Sequence, residues 1–172
     1  PRNVVTSIKN HFSKKNINEA LEFICDEQKV IGYNKLNKNP KNNEIITIIS
    51  SWKTHYNSWK NFGKNLLIIK YEDLLNSEKE FYKIAKYIEN NLKIKIKSED
   101  IKKAISNNTF DKLKNFERKN GFREAPVDIL QKKKIDFFNL GPNNNWKKIL
   151  DPLIAKKIEA RFKNEMEELG YL

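Results

Sequence analysis

The chain has 172 residues, 38% apolar and 11% aromatic, which gives one domain's length with enough apolar material for a core and excludes wholesale disorder. Its formal charge of +12 suits a polyanion partner, but nearly all of it is lysine, and the general over-use of lysine, asparagine and isoleucine equally fits an A/T-rich codon bias, so no nucleic-acid partner is expected. No apolar run approaches the roughly 18 residues that span a bilayer, so no membrane span is expected, and a cytoplasmic location is the default.

Val4, Val5, Ile8 and Phe12 fall at helical spacing and Pro1 suits a first turn, predicting a helix to about residue 14. A second helix, capped by Asn18 and favoured by Glu19 and Glu22 at its positive end, is expected to reach residue 29. Its Cys25, the lone cysteine, sits among apolar neighbours and reads as a core thiol rather than a nucleophile. Residues 32–43 are rich in turn formers and read as a loop. Residues 44–62 carry Ile45, Ile48, Ile49, Trp52, Tyr56 and Trp59 at spacings of three and four, predicting a long amphipathic helix with Trp52 and Trp59 in the core.

Residues 65–73, NLLIIKYED, form the only convincing β-strand, with Leu66, Leu67, Ile68 and Ile69 as the continuous apolar run of a parallel strand covered on both faces. Such a strand needs hydrogen-bonded neighbours, and nothing else in the chain reads clearly as one. With Pro1 in place of an initiator methionine, the expectation is the C-terminal part of a larger α/β protein whose N-terminal half holds most of the sheet.

Helices follow over residues 77–91, from a cap at Ser98, and from a cap at Thr109 to near Gly121. A loop of about twenty residues then runs to Trp146, and loops of that length are usually functional or mobile. The last helix has Asp151 as cap, Pro152 at its first position, Leu153, Ile154, Ile158, Phe162 and Met166 as its stripe and Gly170 as its stop.

No complete active site is legible. His11 and His55 lack metal-ligand spacing and no cysteine cluster exists, so no metal is expected. No phosphate loop of the GxxxxGK[ST] or GxGxxG kind is present. Three segments are hard to derive from packing alone: Tyr71-Glu72-Asp73 at the expected strand end, NNTFDKL at 107–113, and FFNLGPNNNWKKIL at 137–150.

Together with PRNVVTSIKNHF and SWKTHYNSW, and in this order, those segments resemble the C-terminal half of sulfotransferases that use 3′-phosphoadenosine 5′-phosphosulfate (PAPS). The resemblance implies an α/β fold, with residues 1–172 as the C-terminal, mostly helical part of a P-loop-like three-layer domain with a parallel sheet. It implies PAPS as cosubstrate and a small-molecule or glycan acceptor bearing a hydroxyl or amine. The phosphosulfate loop, its lysine and the general base would lie upstream of Pro1, in a missing N-terminal half.

On that resemblance Ser7 takes the place of the serine that binds the 3′-phosphate, Tyr71 that of a tyrosine near the adenine, and Phe110 that of the aromatic stacked on the base. Strand-end packing for Tyr71 and core anchoring for Phe110 are the competing structural roles. Arg2 is not equivalent to the family's phosphate-gripping arginine. The 137–150 segment is similar to the family's RKGxxGDWK loop, but Asn139 and Leu140 stand where its Arg and Lys would be, while Gly141 and Trp146 keep the frame. Gly141 could still present its N–H to an anion and Asn139 its amide, with the lysines at 132–134 as candidates to restore charge. The alternatives are a non-catalytic nucleotide-binding or scaffold relative, favoured by the lost Arg-Lys pair, and a basic nucleic-acid-binding module, favoured only by charge.

Overall fold

Short polar side chains just before apolar periodic runs start several of the helices, and β-branched runs beside them stay extended. The computed structural model describes residues 1–11, 16–31, 47–128 and 133–172. Among them the order is α1 (Arg2–His11), α2 (Ile17–Cys25), β1 (Val30–Ile31), β2 (Thr47–Ile48), α3 (Trp52–Lys60), α4 (Tyr71–Asn76) and α5 (Lys79–Leu92). There follow α6 (Ser98–Asn107), α7 (Phe110–Asn120), β3 (Val127–Asp128), β4 (Lys133–Lys134), α8 (Trp146–Ile149), α9 (Pro152–Arg161) and α10 (Lys163–Glu168). Two compact units result, one of Pro1–Asn61 with Asn144–Leu172 and one of Phe62–Asn143. The loop expected at 32–43, and Phe12 with the end of the first expected helix, lie outside the described residues.

The first unit carries the core. Val5 of α1, Ala20, Phe23 and Ile24 of α2, Leu150, and Ile158, Phe162 and Met166 near the C-terminus bury their side chains together. Each large side chain fully buried there contributes about 1.5–3 kcal/mol. Helix α2 is capped by Asn16, whose Oδ1 accepts the Glu19 N–H at 3.0 Å, rather than by the expected Asn18. It ends at Cys25, short of residue 29, because Val30 and Ile31 leave to pair antiparallel with Ile48 and Thr47. Cys25 is half-buried against the core, and burial pushes its thiol pKa up, as the core-thiol reading requires.

The helix expected over 44–62 is a shorter α3. Thr47 and Ile48 are stiff, β-branched residues in strand β2, and Ser50 adopts a left-handed φ of 56° that breaks the run. Ser51, fully buried, then caps α3 by accepting the Thr54 N–H at 3.1 Å. Trp52 meets Phe162 edge-to-face at 5.3 Å, as a core residue should. Trp59 does not share that role: it is 48% exposed, and its Nε1 donates to His55 Nε2 at 3.3 Å.

The final helix is interrupted. Asp151 caps α9 by accepting the Leu153 N–H at 2.7 Å, with Pro152 at the first position as expected. Phe162, at φ −118°, ends α9 and precedes α10 with its ring fully buried. Leu153, expected on the apolar stripe, is instead 69% exposed on the first turn.

The second unit is helical with little fully buried apolar surface; Ala85 of α5 is its buried hydrophobic among the described residues. Leu66 at φ −121°, ψ 129° and Lys70 at φ −78°, ψ 136° are extended, residues 66–70 belong to neither ladder of the described residues, and Leu67 and Ile68 are exposed. The strand expected over 65–73 is therefore not among the elements of the described residues, and Tyr71-Glu72-Asp73 form the first turn of α4, not a strand end. Both described ladders are antiparallel, the second pairing Val127 with Lys134 and Asp128 with Lys133 inside the segment expected to be loop. Helix α6 begins at Ser98 itself, one residue earlier than a Ser98 cap would place it. Helix α7 runs from Thr109, which holds the N-cap position although its hydroxyl makes no capping bond, to Gly121, whose φ of 75° ends it as expected.

Candidate functional site

Helix α7 and the loop after β4 meet in a cluster that joins the NNTFDKL and FFNLGPNNNW segments. Helical periodicity places Phe110, Lys114 and Glu117 along one side of α7. Glu117 is buried, and its carboxylate accepts the N–H of Phe137 at 2.7 Å and of Phe138 at 2.9 Å, laying the loop along the helix. Lys114 Nζ donates to the Asn139 carbonyl at 3.3 Å and stands 5.7 Å from the centre of the Phe110 ring. Gly141 lies against that ring at φ 49°; a Cβ there would sit 2.2 Å from Phe110 Cε2, so the contact excludes any side chain. Phe138 adds an edge-to-face contact to Phe110 at 6.3 Å, and Phe122 packs on Phe137 at 4.8 Å.

Three of the residues singled out from sequence, Phe110, Asn139 and Gly141, are thus brought together. Tyr71 heads α4, half exposed, and no described hydrogen bond or ring contact joins it to the cluster. Burial, and then the neighbouring Glu72 charge, raise its phenol pKa. Ser7 lies in the other unit, half-buried on α1, where its hydroxyl makes no hydrogen bond among the described residues.

Within that first unit, the start of α1 grips the turn ahead of α8. Asn3 Oδ1 accepts the Trp146 N–H at 3.0 Å, and Asn144 Nδ2 donates to the Asn3 carbonyl at 3.0 Å. The Thr6 hydroxyl is 2.8 Å from the Asn3 carbonyl and 2.5 Å from Asn144 Oδ1. Arg2 is committed elsewhere: its guanidinium bonds Glu159 at 2.6 Å and the Tyr171 carbonyl at 2.9 Å and lies 4.2 Å over Trp146. Those contacts explain Arg2 as a framework residue.

Lys114 and Glu117 were not singled out from the sequence. Their spacing from Phe110, four and seven residues on one helix, was the available signal. The cluster offers a half-buried aromatic ring, an ammonium and a glycine turn, the donor set of a site for a flat, anionic molecule. Of the candidate lysines, Lys133 and Lys134 are exposed on β4, and Lys132 lies outside the described residues. Among the described residues no group of His, Cys, Asp and Glu is placed to hold a metal ion, and no helix is long and apolar enough to cross a membrane.

A family model described as the Sulfotransferase domain matches residues 1–170. No curated protein and no solved structure shows a significant match. With the family model covering nearly its whole length, the chain belongs to the sulfotransferase family.

Proposed function

We propose that the protein transfers the sulfuryl group of PAPS to a hydroxyl or amine of a small-molecule or glycan acceptor, and that the α7 cluster takes part in holding the nucleotide. The observation that carries this reading is the contact of Phe110 with Gly141, which unites two segments that the family resemblance alone ties to the cosubstrate. The residues fit such a ligand: the Phe110 ring keeps part of its surface open to a base, and Lys114 supplies positive charge beside it. Tyr71 and Ser7 enter through their places in the matching motifs, near the adenine and at the 3′-phosphate.

In the reaction the acceptor oxygen or nitrogen forms a bond to sulfur while the bond from sulfur to the bridging phosphate oxygen breaks. The acceptor's proton passes to a base, and 3′-phosphoadenosine 5′-phosphate leaves. None of the described residues is given the role of that base. We take residues 1–172 as part of a larger sulfotransferase domain with a parallel sheet, a reading supported by the apolar run at residues 66–69, which exposes Leu67 and Ile68 and lies outside both ladders of the described residues.

A second reading, a nucleotide-binding relative without catalysis, is favoured by Asn139 and Leu140 in place of a cationic pair. The discriminating experiment is calorimetric titration of the intact protein with 3′-phosphoadenosine 5′-phosphate and with adenosine 5′-phosphate, alongside Ser7→Ala and Phe110→Ala variants. Preference for the 3′-phosphorylated nucleotide, reduced on the order of tenfold or more by Phe110→Ala, is expected. Equal affinity for the two nucleotides overturns the PAPS reading. Preference without sulfuryl transfer to any acceptor in a broad screen moves the assignment to the non-catalytic relative.

A further inference from the structure

We infer that Lys114 is an anion-binding residue of the α7 cluster, supplying to a nucleotide phosphate the positive charge that the loop itself lacks at 139 and 140; this rests on the proposed PAPS reading. The Lys114 side chain packs partly against the cluster and carries its ammonium to an exposed hydrogen bond with the neutral Asn139 carbonyl, at 3.3 Å, its hydrogen-bond partner among the described residues, with no carboxylate among them within ion-pair distance. The nearby carboxylate on the same side of the helix, Glu117, is turned instead to the Phe137 and Phe138 N–H groups. The ammonium therefore keeps donors in reserve at the rim of an aromatic ring, 5.7 Å from its centre.

The loop directs this charge. By accepting from Lys114, the Asn139 carbonyl holds the side chain beside the turn at Gly141, where no Cβ stands between backbone and ring. An aromatic face for a base and a restrained ammonium for a phosphate are the complementary halves of a nucleotide subsite. Lysine acts here as a mobile point charge, which matches a phosphate's spread of oxygens and needs no bidentate geometry.

The test is titration of the intact protein, and of Lys114→Gln, Lys114→Arg and Lys112→Gln variants, with 3′-phosphoadenosine 5′-phosphate and adenosine 5′-phosphate at two salt concentrations. Lys112 is exposed on the same helix, so Lys112→Gln removes the same charge away from the ring. Loss of one charge-assisted hydrogen bond predicts roughly tenfold weaker binding of the 3′-phosphorylated nucleotide in Lys114→Gln, with a shallower salt dependence. Lys114→Arg and Lys112→Gln should stay within about threefold of the parent. If the parent prefers the 3′-phosphorylated nucleotide but Lys114→Gln binds it as well as the parent does, or Lys112→Gln loses as much as Lys114→Gln, the role of Lys114 falls and the PAPS reading stands. If the parent shows no preference, the PAPS reading falls and takes the role of Lys114 with it.

Discussion

Phe110 and Gly141, thirty-one residues apart, touch so closely that the glycine's missing side chain is the space the ring occupies. Gly141 combines that contact with a left-handed φ of 49°, and either feature alone disfavours substitution. Gly141→Ala is expected to cost about 1–3 kcal/mol and to displace the ring. A fall in the thermal midpoint together with weakened nucleotide binding checks it; an alanine variant with unchanged affinity would show that the ring need not hold its place.

Glu117 restrains the loop through paired N–H bonds, so its removal should be felt at those amides before it is felt elsewhere. Glu117→Ala leaves the N–H groups of Phe137 and Phe138 without their acceptor, a cost of about 1–3 kcal/mol for each that stays buried. Hydrogen exchange at residues 137 and 138 should accelerate strongly in that variant and less in Glu117→Gln, which keeps one acceptor oxygen. Unchanged exchange in both would mean that the aromatic contacts alone hold the loop.

The start of α3 carries a pH-dependent element. Hydroxyls of Thr54 and Ser51, with a weaker contribution from Ser50, hydrogen-bond the Glu27 carboxylate and lower its pKa. A carboxylate whose folded pKa is depressed stabilises the fold above its unfolded pKa, and the benefit disappears as pH falls through the folded value. Glu27→Gln should therefore lower the melting temperature at neutral pH, with the difference from the parent closing as pH falls through the depressed pKa of the folded carboxylate. A difference that persists unchanged into acid would remove ionisation as the cause. Ser51→Ala, which also loses the helix cap, is expected to cost about 1–2 kcal/mol by denaturant titration.

Phe162 is fully buried where α9 gives way to α10 and meets the edge of Trp52. Phe162→Ala should destabilise by about 3–5 kcal/mol, as judged by chemical denaturation. A loss under about 1 kcal/mol would indicate that the surrounding core collapses into the space.

The sequence was most readable where a local signal and the tertiary outcome coincide. Gly121 marked the end of α7 and Asp151-Pro152 the start of α9, because a glycine stop, a cap and a proline act within one turn, whereas Thr109 stands at the N-cap position of α7 without a capping bond from its hydroxyl. Reading failed where a longer-range partner outweighed periodicity. Ile48 and Ile49 fit a helical stripe, but the pairing of Ile48 with Val30, the Ile49 N–H bond to the Lys29 carbonyl and the turn at Ser50 drew that segment out of α3. Leu153 matched the stripe by number yet faces solvent on the first turn of α9. At the candidate site, Phe110 and Gly141 were legible as motif residues, whereas Lys114 and Glu117 acquired meaning only when the loop lay down beside α7. Charges on a basic helix look interchangeable until their acceptors are known.

Because the Glu117 carboxylate already holds the N–H groups of Phe137 and Phe138, the loop's path beside α7 is set by the fold rather than by a ligand. Its conformational entropy is surrendered during folding, so a nucleotide engaging this segment meets a preorganised surface and binds without the ordering penalty of a slack loop.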